Sequence, residues 1–337
     1  MAPIRVAIVG CGAISQAHLK AIRENDASLV TVAGVFDQDA ARAAARASEY
    51  GVERVYRSWE EVLGDREADV IAVLLPHDQH ARVAIEALEA GHHVVCEKPM
   101  GTTVAECDAM IAAAQKAGKR LHPVHNRIYD PASDAVKAFV ESGAIGDVFL
   151  AQTLGLEPPR TVSVRPWLGT PAGGGGVLMA QAVHPAYLLR WVLGEVAQAV
   201  CLTAQRKVVE MTAEDTAVAV YRFQSGAVAE MTGTFGLPVG PAEHRVTFYG
   251  PGGYAEISSK NGTLGLSQDR FGDRSVHPLM TEHEWGTGFR RLWEDYALGF
   301  GTGSETRVTA EDGKRAVEMI QAAYESAKSG QVVKLPL

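Results

Sequence analysis

Residues 4–15 read IRVAIVGCGAIS. A β-branched run closes on Gly10, and the chain passes through Gly12 into the helical spacing of Ile14, Ala17, Ala21 and Ile22. A strand that turns at once into a helix must be buried, with the helix lying against its sheet. The pattern then repeats. Strand-like runs cover 29–37, 69–76, 92–99 and 120–125, and helical runs cover 41–51, 78–91 and 103–118. The last of these opens with a capping box, Thr103 with Glu106, and stops at Gly118. Alternating strands and helices with short connections predict an α/β domain with a doubly wound parallel sheet, whose ligands bind at the carboxyl ends of the strands.

The motifs fall at those strand ends. Gly10 permits a tight turn, and Gly12 lets the backbone approach a pyrophosphate at the helix N-terminus, where Ala13 and Ile14 follow. On its own, G-x-G-x-x-S is only a glycine-assisted turn. Between the first strand and the first helix it is a dinucleotide site. Asp37 ends the second strand, where an acid accepts hydrogen bonds from the adenosine ribose and repels a 2′-phosphate, so NAD is favoured over NADP. Asp37 could instead cap the next helix, a role that Asp39 can also fill. CEKPMG, residues 96–101, ends the strand over 92–99; Pro99 biases Lys98 away from helical geometry and holds it at the sheet edge beside Glu97.

From about residue 125 the pattern changes, which divides the chain into domains 1–124 and 125–337. A helix over 130–146 and a strand over 147–157 precede strand-rich stretches at 199–208, 216–236 and 244–268. Hairpin turns at Ser225-Gly226 and Pro251-Gly252-Gly253 predict an antiparallel sheet. The 337 residues suffice for two cores, and 47% hydrophobic with 21% charged residues is ordinary for a globular chain. A net charge of −8 with no basic block argues against nucleic acid and anionic lipid as partners. No apolar run approaches the roughly 20 residues of a membrane span, and no secretory leader is legible. The four cysteines lack metal or disulfide spacing, so a reducing cytoplasm is expected. No metal site is expected: His122 and His125, three apart on a strand, point to opposite faces. His92, His93, His277 and His283 read as loop or surface residues.

VAIVGCGAISQAHLKAI, LLPHDQHARVAIEALEAGHHVVCEKPM and the segment from Arg307 to Leu337 resemble the Gfo/Idh/MocA oxidoreductases, the family of glucose-fructose oxidoreductase and inositol 2-dehydrogenase. The resemblance runs over nearly the whole chain. It implies an N-terminal Rossmann domain and a C-terminal α+β domain with a large open, mostly antiparallel sheet. It also implies tightly held nicotinamide and redox chemistry at a carbohydrate carbon. Lys98 maps to the lysine that reaches the reacting oxygen, and the bond before Pro99 is often cis in relatives. Gly10, Gly12, Ile14, Asp37, Leu75, Pro76, His80, Glu97 and Asn126 map to the dinucleotide site. The free face of the sheet is commonly where subunits meet, so a dimer or tetramer is expected.

Residues 174–184 read GGGVLMAQAVH, where relatives usually read G-G-G-x-L-x-D-x-G-x-H. His184 is retained, the aspartate is Ala180, and the acid often found three residues later is Tyr187. Residues four apart on a helix share a face, so His184 and position 180 should both point at substrate. Gln181 lies about 100° around the helix, from 3.6 residues per turn, and cannot replace the aspartate directly. His125, Tyr187, Glu157 and Arg165 are candidates to fill the gap. The polar pocket is expected from His125, Arg127, Arg165, Gln181 and His184, with Trp167 stacking on a sugar or the nicotinamide. Either Lys98 or His184 can be the general base. These residues predict an NAD-dependent oxidoreductase acting on a hydroxyl-bearing carbon of a sugar, sugar acid or polyol. Two alternatives stay open: a redox-neutral epimerase, lyase or glycosidase that uses the cofactor transiently, and a non-catalytic cofactor-sensing regulator.

Overall fold

The first strand, β1 (Ile4–Val9), is buried along almost its whole length because it is an inner strand covered on both faces. In this computed structural model, which describes residues 2–206, 211–237, 242–259, 262–268, 274–280 and 287–337, the chain forms two compact units. One takes in the chain up to Tyr129 and the stretch ending at Lys314; the other takes in the chain from Asp130 and the residues after Lys314. The expected boundary at 124/125 therefore differs by the turn at Asn126–Tyr129. It differs further by a late helix whose aromatic residues pack into the first unit.

In the first unit β1 is followed by α1 (Ala13–Glu24), β2 (Val30–Phe36), α2 (Ala40–Tyr50) and α3 (Trp59–Gly64). Next come β3 (Val70–Val73), α4 (His80–Glu89), β4 (His93–Cys96), α5 (Val104–Ala117) and β5 (Leu121–Pro123). The five strands are all parallel in the order β2-β1-β3-β4-β5. The order reverses between β1 and β3, which is the switch point where such sheets open a crevice. Asp39, not Asp37, caps α2, accepting from Ala41 and Arg42 N–H at 3.1 Å each. Thr103 caps α5, and Glu106 reaches back to Thr102. The short α3 was not foreseen, although Ser58 and Glu61 form its capping contacts.

The second unit begins with α6 (Pro131–Glu141), capped by Asp130 with proline in the first turn, then β6 (Leu150–Leu156) and α7 (Arg160–Ser163). After the glycine run come a π-helical turn at Leu178–Ala182 and α8 (Val183–Leu193). The strands β7 (Val196–Ala204), β8 (Thr216–Phe223), β9 (Val228–Thr234), β10 (Glu243–Gly250), β11 (Gly253–Ser258), β12 (Gly262–Gln268) and β13 (Arg274–Met280) follow. The chain ends with α9 (Thr287–Thr302), which belongs to the first unit, then α10 (Ala310–Ser329) and β14 (Val333–Lys334). The nine-stranded sheet runs β13-β12-β11-β10-β6-β9-β8-β7-β14 and is antiparallel except where β6 meets β9. On β8, Ala217, Ala219, Tyr221 and Phe223 are buried and alternate with exposed Val218, Val220 and Arg222. The buried side meets α10, where Tyr221 Oη donates to Met319 O at 3.1 Å. Across the strand pair, Val200 faces Val220 and Leu202 faces Val218, leaving an exposed apolar stripe.

His92, expected near the surface, is buried with its two ring nitrogens against Ala68 O and Leu63 O at 2.8 and 3.0 Å. Burial wins there because the ring's polar atoms find backbone partners. His93 and His277 are half-buried strand residues, and His283 lies outside the described residues.

Gly10 marks the tightest point of the first unit. Its φ is +100°, and a Cβ there would stand 2.3 Å from Leu74 O. Gly12 has an extended backbone and open space where its Cβ would be. Gly10→Ala should therefore lose about 2–4 kcal/mol of stability, and Gly12→Ala about 1 kcal/mol or less. Urea unfolding of both variants tests the contrast; equal losses would contradict it.

Candidate functional site

The residues expected at the dinucleotide site gather where β1, β2, β3 and β4 end. Gly10 N–H donates to Phe36 O at 2.8 Å, drawing the ends of β1 and β2 together. Gly12 is the N-cap of α1 and offers no side chain, so the helix begins with backbone N–H groups and no side-chain cap. Ala13 is exposed and Ile14 half-buried. Asp37 Oδ2 accepts the Cys11 N–H at 2.8 Å and Oδ1 accepts the Asp39 N–H at 2.9 Å. The Arg42 guanidinium lies 3.4 Å from Asp37 and 3.3 Å from Asp39. An uncapped helix start, an open glycine and a carboxylate at the end of the second strand fit a dinucleotide: pyrophosphate on the N–H groups, ribose on Asp37.

Leu75 and Pro76 are half-buried after β3. His80 is fully buried, with its ring nitrogens 2.8 Å from Leu75 O and 2.7 Å from Pro99 O. Burial pushes its pKa down, against the pull of the two carbonyls. The ring thus ties the segment after β3 to the turn that carries Lys98. The Lys98–Pro99 bond is cis. Lys98 is half-buried, and Glu97 beside it is buried, its Oε2 accepting the Lys98 N–H at 3.0 Å. Burial pushes the Glu97 carboxyl up, but the hydrogen bond from His18, the Lys98 charge and the Lys98 N–H outweigh it. The group sits below the ordinary carboxylate range.

His125 is buried just before the turn Asn126–Tyr129, on which Asn126 and Arg127 are half-buried. His122 is stacked on Tyr296 at 4.6 Å, and burial lowers its pKa to about 4. Among the described residues no three His, Cys, Asp or Glu side chains form a group suited to a metal ion.

In the second unit the glycine run is set by close approaches. A Cβ on Gly175 would meet Leu168 O at 2.1 Å, and one on Gly176, where φ is +102°, would meet the Glu214 carboxylate at 2.3 Å. Glu214 Oε1 accepts the Leu178 N–H at 3.0 Å and the Tyr324 hydroxyl at 2.9 Å, so it caps the turn leading into α8. Burial raises its pKa, opposed by those hydrogen bonds. The segment opens as a π turn, a feature that recurs at functional sites. Ala180 is buried there, while His184 is half-buried one turn later.

His184 Nδ1 and Tyr187 Oη are 2.9 Å apart, so a buried phenol meets the imidazole at Nδ1. Gln181 points elsewhere: its Nε2 donates to Glu157 Oε1 at 3.3 Å and to His244 Nδ1 at 3.1 Å. His244 Nε2 stands 2.9 Å from the same carboxylate oxygen. Of the four candidates for the Ala180 gap, Tyr187 bonds the histidine, and Glu157 joins Gln181 and His244. Arg165 is exposed at the start of a 3₁₀ turn, with Trp167 half-buried on it. His18, His244 and Glu214 were not singled out from sequence. A histidine on the apolar face of α1 is the one visible signal for His18; nothing local marks the other two.

The sequence matches the description "Oxidoreductase family, NAD-binding Rossmann fold" over residues 4–125 and "Oxidoreductase family, C-terminal alpha/beta domain" over 137–335. Myo-inositol 2-dehydrogenase of Thermotoga maritima is 26% identical over 98% of both chains. D-apiose dehydrogenase of Paraburkholderia graminis is 25% identical over 98% of this chain and 89% of its own. The WlbA dehydrogenase of Bordetella pertussis, solved with NADH and UDP-GlcNAcA, superposes with a TM-score of 0.87 at 26% identity, covering 100% of this chain and 99% of its own. Levoglucosan dehydrogenase with NADH and L-sorbose gives a TM-score of 0.90 at 22% identity over 100% of both, which speaks to the fold alone. With both domains matched in order along one chain, this protein is a member of the Gfo/Idh/MocA oxidoreductase family, built on an NAD-binding Rossmann domain.

Proposed function

We propose that this oxidoreductase transfers hydride between NAD and a hydroxyl-bearing carbon of a sugar, sugar acid or polyol. The observation that carries the reading is the half-buried Lys98, which follows β4 at its carboxyl end and donates its backbone N–H to a buried carboxylate. Relatives named for myo-inositol and apiose support the substrate class. NAD is preferred over NADP because Asp37 opposes a 2′-phosphate and Arg42 is already engaged by Asp37 and Asp39. Gly10, Gly12, Ala13, Ile14, Leu75 and Pro76 surround the dinucleotide, with Asn126 beside them. His80 and Glu97 act through the segments they hold. The bound nicotinamide supplies the hydride acceptor or donor.

Lys98 holds the reacting oxygen as a cation and stabilises negative charge that develops on it. His184 takes the hydroxyl proton on Nε2. For that, Nδ1 carries the ring proton and donates it to Tyr187 Oη, which makes Nε2 the acceptor nitrogen of the neutral ring. His125, Arg127, Arg165, Trp167 and Gln181 are assigned to the substrate's other hydroxyls, Gln181 together with Glu157. The four cysteines are buried and free, which suits a reducing cytoplasm.

We further propose that copies of the chain pair through the stripe formed by Val200, Leu202, Val218 and Val220. Leu202 is 75% exposed in the single chain, and contiguous apolar surface of this kind marks interaction sites.

On a panel of sugars and polyols, wild type should form NADH with at least one member, and Lys98→Ala should lose about 10³-fold or more in kcat while still binding NAD+. Wild-type turnover by the variant would end the assignment. Isotope exchange at carbon with no net NADH would instead select the redox-neutral chemistry. Tyr187→Phe keeps the ring and removes the hydroxyl that meets His184 Nδ1, so kcat should fall about three- to tenfold with KM little changed. An unchanged kcat would mean that the phenol does not orient the base. Leu202→Glu should lower the mass measured by light scattering while the far-ultraviolet circular dichroism of the chain stays that of wild type; an unchanged mass would clear this stripe of the role.

A further inference from the structure

A buried chain of hydrogen bonds runs behind Lys98, and two of its members, His18 and Trp293, take no part in the roles assigned above. Trp293, on α9, offers an indole N–H that can only donate, and Nε1 stands 3.1 Å from His18 Nδ1. Nδ1 is therefore the acceptor, and the neutral ring carries its proton on Nε2. That nitrogen faces Glu97 Oε1 at 3.1 Å. The other oxygen of the same carboxylate accepts the backbone N–H of Lys98 at 3.0 Å. His18 and Trp293 are 0% exposed and Glu97 is 6% exposed, so water does not substitute for any member of the chain.

The imidazole has little freedom to answer in another way. Phe289 and Trp293, four residues apart on α9, both set their rings at steep angles to it, at 4.9 and 5.8 Å between centroids. Turning the ring over would bring a carbon against the indole N–H and leave a buried donor unmade, which is the costly side of hydrogen bonding. A carboxylate held at one oxygen can swing about its last torsion. Held at both, by an imidazole N–H and a backbone N–H, it is fixed.

We propose that Trp293 and His18 are positioning residues for Lys98. The indole selects the imidazole tautomer, the imidazole N–H aims the Glu97 carboxylate, and the carboxylate fixes the backbone of Lys98 and sets a negative charge beside its ammonium. Neither residue touches substrate. The proposal rests on Lys98 acting as the cation at the reacting oxygen, and it gives that cation an anchor reaching from α9 through α1 to the end of β4.

The test uses the full chain with His18→Ala, His18→Gln, Trp293→Phe and the double variant H18A/W293F. Each is assayed on a substrate that wild type turns over, with NAD+ affinity measured by calorimetry. His18→Ala should lower kcat about 10- to 100-fold, with KM and NAD+ affinity within about threefold of wild type. Glutamine presents an acceptor and a donor side by side, much as the two ring nitrogens do, and should recover most of the lost kcat. Trp293→Phe should cost about three- to tenfold, and the double variant should fall no further than His18→Ala, because the indole acts only through the ring. Independently of activity, nitrogen-15 spectra of labelled histidine should report His18 with its proton on Nε2 in wild type and a shifted ring in Trp293→Phe. A wild-type kcat in His18→Ala, no recovery in His18→Gln, or a ring protonated on Nδ1 would each overturn the proposal. If His18→Ala does not fold, the glutamine and phenylalanine variants and the spectra decide. Wild-type turnover in Lys98→Ala would instead strike the reading of Lys98 and leave the tautomer result standing.

Discussion

The missing side chain of Gly10 lets the end of β1 come against the backbone of Leu74 at the end of β3, closer than any other residue type allows. That contact lies at the switch point of the parallel sheet and sets where α1 begins and which way it runs. Two consequences follow from one turn. The first N–H groups of α1 are left without a side-chain cap, ready for an anion. Farther along the same helix, His18 is brought against α9 on one side and Glu97 on the other. Cofactor cradle and Lys98 support are thus built from the start and the middle of one helix, and a shift in its start would displace both.

The second unit solves a different problem. A carboxylate next to a histidine orients the ring and also opposes the positive charge that the ring gains when it takes a proton. Tyr187 supplies the orientation without the charge, and Ala180 supplies neither. The charge stands one residue beyond Ala180 instead: Gln181 leads to Glu157, which also meets His244 and Thr161. On the proposed reading, in which His184 is the base, an acid moved away from it and set against a neutral amide would grip a substrate hydroxyl rather than raise the basicity of the imidazole.

The parallel sheet, its glycine turns, Thr103 and Gly118 at the ends of α5, and the hairpins at Ser225-Gly226 and Pro251-Gly252-Gly253 were legible because each depends on residues close in sequence. The capping pair Ser58 and Glu61 carried the same kind of local signal for α3 and went unread. What no local pattern encodes is partnership over long separations. Periodicity places His18 on the buried face of α1, yet its partners lie 79 and 275 residues away in the chain. Tyr187 was legible as a candidate beside His184 because the two are three apart on a helix, whereas the pairing of Gln181 with His244 crosses 63 residues. The π turn is hidden for another reason: it is a packing solution, in which Gly155 and Gly233, paired across β6 and β9, let Gln181 and Val177 settle onto the sheet.

The likeness to the family over the last thirty residues has a physical ground in the same unit. α10 lies beneath β7 and β8, where Ser326 Oγ accepts the Cys201 N–H and Met319 O accepts the Tyr221 hydroxyl. From the same helix Tyr324 reaches Glu214, and Glu214 caps the turn that opens the segment bearing His184. A carboxylate at a helix start is favoured by the helix dipole, and one buried this deeply is tolerated only with donors on it. Two of those donors are the Leu178 N–H and the Tyr324 hydroxyl, so the C-terminal helix and the glycine run stabilise one another through a single acid. The start of the segment that bears His184 is therefore held from far along the chain, by the Tyr324 phenol acting through Glu214, while Tyr187 bonds the ring from three residues away.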